Sequence, residues 1–169
     1  MKIIAAAVIG LGMTLPAQAM ELTSRDIAPG STIALSHVYS ECGGDNMAPM
    51  LSWRGAPAGT KSFALTVFDP DAPGGWWHWI VYDIPPTTTG IDGTMPTGAR
   101  EGRNDFGKAE YDGPCPPPGS GPHHYQFTIW ALGTAALPTE GATEGETVGP
   151  YLKTHALASA TLTAFYERP

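Results

Sequence analysis

Three runs along the chain carry its densest apolar signal. Ser62 to Phe68 reads Ser-Phe-Ala-Leu-Thr-Val-Phe, nearly all apolar, and the pattern predicts a strand covered on both faces. Trp76 to Ile84 predicts a second strand and Tyr125 to Leu132 a third. Asp69-Pro70-Asp71-Ala72-Pro73-Gly74-Gly75 ends the first run abruptly, and Pro85-Pro86 closes the second. From Ala158 to Glu167 the pattern alternates with period two, with Ala160, Leu162, Ala164 and Tyr166 on one side. Threonines and aromatics favour strand there, against the helix that the alanines would allow. Shorter strands are expected at Ile33–Leu35 and Leu51–Arg54, and a short helix over Thr147–Ala156. His37 to Met50 reads as loop with a turn at Gly43-Gly44-Asp45-Asn46, and Ala56 to Thr60 as another turn. Thr87 to Gly121 is a long Gly- and Pro-rich stretch, and structureless loops of that length in a compact domain are usually functional.

Composition fits this reading. The 169 residues include 21 Gly and 17 Pro, and only 15% are charged, against roughly 25% in an average domain. Many short strands joined by tight turns have this profile, and a helical bundle does not. No repeat, charge block or linker divides the chain. Its start is different in kind: Met1-Lys2, then an apolar run from Ile3 to Leu15, then Pro16-Ala17-Gln18-Ala19. That is the pattern of a secretory signal peptide spanning residues 1–19, cut before Met20. The run is short for a membrane span, and no Cys at the cut offers a lipid anchor. The remaining domain is expected to cover residues 20–169 of a protein exported to the periplasm or secreted. Without Lys2 it carries 8 basic and 16 acidic residues, a net charge of −8. Such a surface repels nucleic-acid backbones and anionic lipid faces, though a local anion site remains compatible with it. Cys42 and Cys115 allow one bridge, which an oxidising compartment favours over two free buried thiols.

Chemistry-bearing side chains gather at the ends of the three strongest strands. Asp69 and Asp71 follow the first, spaced by two and held by Pro70 and Pro73. His78 lies in the second among Trp76, Trp77 and Trp79, and His123-His124-Tyr125 open the third. Antiparallel neighbours would bring an acidic strand end beside a strand start rich in histidine. A carboxylate beside an imidazole favours the imidazolium and orients it. The imidazolium and the Tyr125 hydroxyl then donate to a phosphate or carboxylate oxygen. An unneutralised Asp accepts from an ammonium, so a zwitterionic head carrying amine and phosphate suits the set. Each piece alone has a plainer reading: an Asx turn, a core histidine, a loop surface, a rigid proline segment.

Together the blocks are specific. Phe68-Asp69-Pro70-Asp71-Ala72-Pro73, then Trp77-His78-Trp79, then the run from Gly113 through Pro117 to His123-His124-Tyr125 resemble the signature blocks of the phosphatidylethanolamine-binding protein family. Gly102-Arg103-Asn104-Asp105-Phe106-Gly107 and the opening Glu21-Leu22-Thr23-Ser24 resemble its bacterial, Raf-kinase-inhibitor-like branch. The resemblance implies a mainly β fold: a large antiparallel sheet packed on a smaller one, with few short helices. It also implies an anion pocket at one end of the large sheet, formed by Asp69, Asp71, His78, Pro117, His123 and Tyr125. His124 matches a variable position and stays outside that set. Cis peptide bonds near the Asp-Pro segment are a family feature, with Pro70 and Pro73 the candidates. Ala48-Pro49-Met50-Leu51 departs from the family's Ser-Pro-Pro-Leu-like run. The stop after Glu167, without the terminal helix of eukaryotic members, implies a more open site and leaves their kinase or receptor regulation in doubt.

Three function classes follow. The first is a binding protein for a small anionic or phosphorylated ligand, resembling binders of phosphoethanolamine-like head groups. The second is an inhibitor or modulator of a protein partner, protease or kinase-like, using the loop from Thr87 to Tyr111. The third, a hydrolase, is disfavoured because Asp69 and Asp71 sit only two residues apart with no second catalytic pair. A metal site from Asp69, Asp71, His78 and His123 matches no metal-binding spacing, and no cofactor is expected. Nucleic-acid binding and stable membrane insertion are not expected, and the oligomeric state, homodimer included, is left open by the sequence.

Overall fold

The computed structural model describes residues 19–138 and 144–169; the expected leader, residues 1–19, falls outside this range except for Ala19. Its main body is a five-stranded antiparallel sheet. The central strand β3 (Ser62–Asp69) lies between β4 (Trp76–Ile84) and β7 (His123–Leu132). The two-residue β6 (Arg100–Glu101) flanks β4, and β8 (Ala156–Tyr166) flanks β7. A three-stranded sheet, β1 (Glu21–Ser24), β2 (Leu51–Arg54) and β5 (Gly90–Ile91), packs against one face of the large sheet. The helix α1 (Gly145–His155) covers the other.

This layering explains the apolar runs. One face of β3, with Leu65 and Val67, joins Trp79, Phe127 and Ile129 against Leu22, Trp53 and Ile91 of the small sheet. The other face, through Ala64, joins Ile80, Tyr82 and Leu132 beneath Val148 and Leu152 of the helix. A strand buried on both faces loses its alternation and reads as continuous hydrophobicity. β8, at the sheet edge, keeps its period-two pattern. The helix rests on the Trp77 indole through Gly145 and Gly149, one turn apart. A Cβ at Gly145 would lie 2.1 Å from Trp77 Cγ, and one at Gly149 2.4 Å from Trp77 Cη2. Only glycine admits the aromatic ring that close.

Several expectations need correction. Ile33–Leu35 is not a strand: Thr32 makes one isolated bridge to Phe165, and Leu35–His37 then coils into a 3-10 turn. The backbone there pairs with β8 through the Ile33 N–H and then turns away, so no ladder forms. A second 3-10 turn, Ser40–Cys42, lies in the segment read as loop. The long stretch from Thr87 to Gly121 contains β5 and β6, each too short to show a period. No cis peptide bond occurs among the described residues, so Pro70 and Pro73 are trans. The turn closes without one, because Asp69 Oδ1 accepts from the amides of Asp71 (2.8 Å) and Ala72 (3.3 Å).

Cys42 and Cys115 form a disulfide, their Cα atoms 5.6 Å apart. No described helix is long and apolar enough to cross a membrane.

Candidate functional site

The acidic end of β3, the start of β4 and the start of β7 meet at one end of the large sheet. Strand register places them. Phe68 pairs with Trp77 on one side and Gln126 on the other, so Asp69 emerges level with Trp76 and next to Tyr125. Along β4 the register slips between Val67, opposite Trp79, and Phe68, opposite Trp77. His78 is the extra residue of that bulge. A bulge re-aims side chains, and here it lets Trp77 join Ile80 and Tyr82 under the helix while Trp79 packs toward the small sheet. His78 is thereby presented to the sheet end.

Two carboxylate–imidazole pairs hold the β3–β4 turn to β7. His123 Nδ1 lies 2.7 Å from Asp69 Oδ2, with both side chains nearly buried. His124 Nδ1 lies 2.7 Å from Asp71 Oδ2, which also accepts from the His124 amide at 2.7 Å. The second pair is half exposed. These hydrogen bonds, the amide one first, hold the Asp71 carboxyl below its usual range. On the far side of the His123 ring, Nε2 lies 3.1 Å from Ser120 Oγ.

His78 has a different environment. Its Nδ1 lies 2.7 Å from the Asp112 carbonyl and must carry the proton, because a carbonyl only accepts. Burial pulls the ring down to about 4, against weaker opposing contributions led by that same hydrogen bond. His78 is therefore neutral at pH 7, and its Nε2 is left as an acceptor. Asp112 is itself fully buried. Its carboxylate accepts from Asn104 Nδ2 (2.8 Å), Asn46 Nδ2 (3.2 Å) and Lys108 Nζ (3.2 Å). Its amide donates back to the His78 carbonyl at 3.1 Å. This buried acid fixes the loop that fixes His78. The buried Tyr125 hydroxyl finds no hydrogen-bond partner among the described residues. Burial first, then the Asp69 charge, drives its phenol far above the ordinary range.

All six residues expected at the site, Asp69, Asp71, His78, Pro117, His123 and Tyr125, line one cavity of about 460 Å³. Its remaining wall includes Trp76, Phe106, Pro116 and Ser120, and Cys115 ties it to the disulfide. The sequence reading missed three features. His124, set aside as variable, is the partner of Asp71. Ser120 reaches His123, a contact that its spacing of three in a Gly-rich turn could have suggested. Asp112 bore no signal, since nothing in a sequence marks an acid for complete burial.

A family model described as phosphatidylethanolamine-binding protein matches residues 23–167. The UPF0098 protein YbcL of Escherichia coli K12 is 49% identical over 163 residues, covering 89% of this chain and 89% of that protein. The crystal structure of E. coli YbcL, described as a new member of the mammalian PEBP family, aligns with a TM-score of 0.84 at 48% identity. It covers 90% of this chain and 100% of that one. The structure of a carboxypeptidase Y inhibitor complexed with its cognate proteinase aligns at a TM-score of 0.59, over 91% of this chain and 85% of that one. At 20% identity this is a likeness of fold alone. With a matching family model over most of its length and a relative near half identical, the chain belongs to the phosphatidylethanolamine-binding protein family.

Proposed function

We propose that this protein is an exported binding protein whose cavity holds a small phosphorylated head group, phosphoethanolamine-like in chemistry, without turning it over. The observation that carries this reading is the Tyr125 hydroxyl. Its oxygen is buried on the cavity wall with no hydrogen-bond partner among the described residues, a cost of about 1–3 kcal/mol that a ligand oxygen would relieve. His123, when protonated against Asp69, supplies a cationic donor at Nε2, and the Ser120 hydroxyl lies beside it. Asp71 Oδ1 makes no hydrogen bond among the described residues and suits an ammonium group. His78 enters as an acceptor, so the ligand is best held with one phosphate proton in place. A phosphate monoester gains that proton near pH 6, and affinity is expected to rise as pH falls from about 8 to 6.

Export rests on the leader pattern of residues 1–19, and the bridge between Cys42 and Cys115 suits an oxidising compartment. The test is calorimetric titration with phosphoethanolamine, phosphate and sulfate. Phosphoethanolamine should bind tightest, sulfate should give little heat, and His123→Ala should abolish the signal. Absence of binding at pH 6 to 7, or equal heat from the variant, would overturn the reading.

A second reading is modulation of a partner protein such as a protease. It is favoured by Leu35 and Met47, both more than half exposed, on segments joined by the Met47 N–H to the Ser36 carbonyl. Two neighbouring apolar side chains left in water suit a protein contact. Pull-down from an envelope extract with and without Met47→Lys tests it, and equal capture by both would argue against that surface.

A further inference from the structure

Asp69, His123 and Ser120 form a hydrogen-bonded series along the cavity wall. Asp69 Oδ2 lies 2.7 Å from His123 Nδ1, and His123 Nε2 lies 3.1 Å from Ser120 Oγ. The buried acid touches one ring nitrogen and a hydroxyl touches the other, the arrangement that activates a serine in acyl transfer. Asp69 holds the ring in the tautomer with the proton on Nδ1, which leaves Nε2 free to accept. It also stabilises the imidazolium that forms once Nε2 has taken a proton. In the resting structure the Ser120 proton has two other acceptors, the Pro117 carbonyl at 2.8 Å and, more weakly, the Gly121 carbonyl at 3.5 Å. Rotation about the Cβ–Oγ bond carries that proton to the imidazole.

Local structure presents the hydroxyl openly. Gly119 and Gly121 flank Ser120 with φ of +74° and +83°, left-handed values that suit glycine, and a Cβ at either would meet nothing within 4 Å. Ser120 thus stands at the apex of an uncrowded turn on the cavity rim. The Tyr125 hydroxyl is a buried donor on the same wall with no partner among the described residues. It is suited to meet a developing oxyanion.

We propose that Ser120 is a nucleophile, that His123 is its general base oriented by Asp69, and that the cavity accepts a small uncharged carboxylic ester. Ala72, Pro73, Trp76, Phe106, Pro116 and Pro117 give the wall its apolar character, and no Lys or Arg among the described residues lines it. A short acyl or aryl ester fits such a wall. In the forward step Ser120 Oγ bonds to the carbonyl carbon as its proton passes to His123 Nε2. The carbonyl π pair moves to oxygen. Collapse of the tetrahedral species breaks the bond to the leaving alkoxide, which takes the proton from Nε2. A water then attacks the acyl-serine with Nε2 again as base, releasing the carboxylic acid and restoring Ser120.

This activity goes beyond anion binding and uses the opposite protonation state of the same ring. Holding an anion needs His123 protonated, and activating Ser120 needs it neutral. The two readings therefore predict opposite pH trends and fail separately. The purified protein is incubated with an alkyl fluorophosphonate, whose fluoride is displaced by an activated serine, and examined by intact mass and peptide mapping. One adduct per chain is expected, on Ser120, formed faster at higher pH and slowed by inorganic phosphate. Ser120→Ala, which removes only a hydroxyl at an open position, should lose the adduct. Asp69→Asn should slow it by roughly 100-fold or more. A short p-nitrophenyl ester should give a burst and an acyl adduct at the same serine. No adduct on folded protein, an adduct that persists in Ser120→Ala, or a rate indifferent to both pH and Asp69→Asn would overturn the assignment. Phosphoethanolamine titration of the same samples reports separately on the binding reading.

Discussion

Lowering the pH should destabilise this protein through His78 before its carboxylates are titrated. The ring is buried, its Nδ1 proton is committed to the Asp112 carbonyl, and its native value is about 4 against 6.5 when exposed. A group whose folded value lies below its unfolded value binds fewer protons folded than unfolded. Stability is therefore complete above pH 6.5 and falls as pH drops toward 4. Each pH unit inside that window costs about 1.4 kcal/mol, and the whole window about 3 kcal/mol. That is a large share of a domain stability of about 5–15 kcal/mol. The term is isolated by comparison with His78→Asn, whose amide nitrogen stands near the original Nδ1 and can still donate to Asp112. Losing the ring's contacts with Phe106 and Tyr125 lowers the variant's stability by an amount that does not depend on pH. Carboxylate contributions cancel in the difference. Asp71, lowered from 3.8, and Asp105, raised by burial, are present in both proteins. Urea unfolding followed by tryptophan fluorescence, with the disulfide intact, gives stability at each pH. The gap between the two proteins should narrow by about 3 kcal/mol between pH 7 and 4. Parallel curves would show that His78 takes up its proton as readily in the native state as in the unfolded one, and would refute the depression by burial on which its acceptor role at low pH rests.

Two further outcomes test the frame around the site. Reduction of the Cys42–Cys115 bridge, which closes a span of 73 residues, should lower stability by about 4 kcal/mol on the chain-entropy account; a thiol titration that finds two free cysteines without reductant would remove the bridge itself. Gly145→Ala should destabilise by roughly 1–3 kcal/mol despite alanine's better helix propensity, because its Cβ would meet Trp77 Cγ at 2.1 Å; a gain in thermal midpoint would show that the helix does not rest on that ring.

The strands that build the sheet were legible because burial on both faces, or at the edge on one, imprints a run or an alternation on the residues themselves. β4 has the expected bounds, and β3, β7 and β8 differ only at their ends. What escaped was decided by partners rather than by local pattern. Residues Ile33 to Leu35 have strand-like side chains, but only the first finds a pairing partner before the chain turns. β5 and β6 are strands because neighbouring backbone is in place to receive them.

The site divides in the same way. Residue type and spacing placed Asp69, Asp71, His78, His123 and Tyr125 at one sheet end, but the charge each carries depends on what surrounds it. The same imidazole meets a carboxylate at Nδ1 in His123 and a carbonyl at Nδ1 in His78, where burial keeps the ring a neutral acceptor. That contrast depends on the β4 bulge, which turns His78 toward Asp112, and on the buried cluster of Asn46, Asn104 and Lys108 that keeps Asp112 in position. The bulge lies within the Trp77-His78-Trp79 block and Asn104 within the run Gly102 to Gly107, but Asn46, Lys108 and Asp112 lie outside every block that carried the resemblance. The blocks gather the groups, and the surrounding loops set their protonation. A relative that kept every pocket residue but lost Asp112 and its partners would therefore be expected to hold His78 less rigidly and to bind with a different dependence on pH.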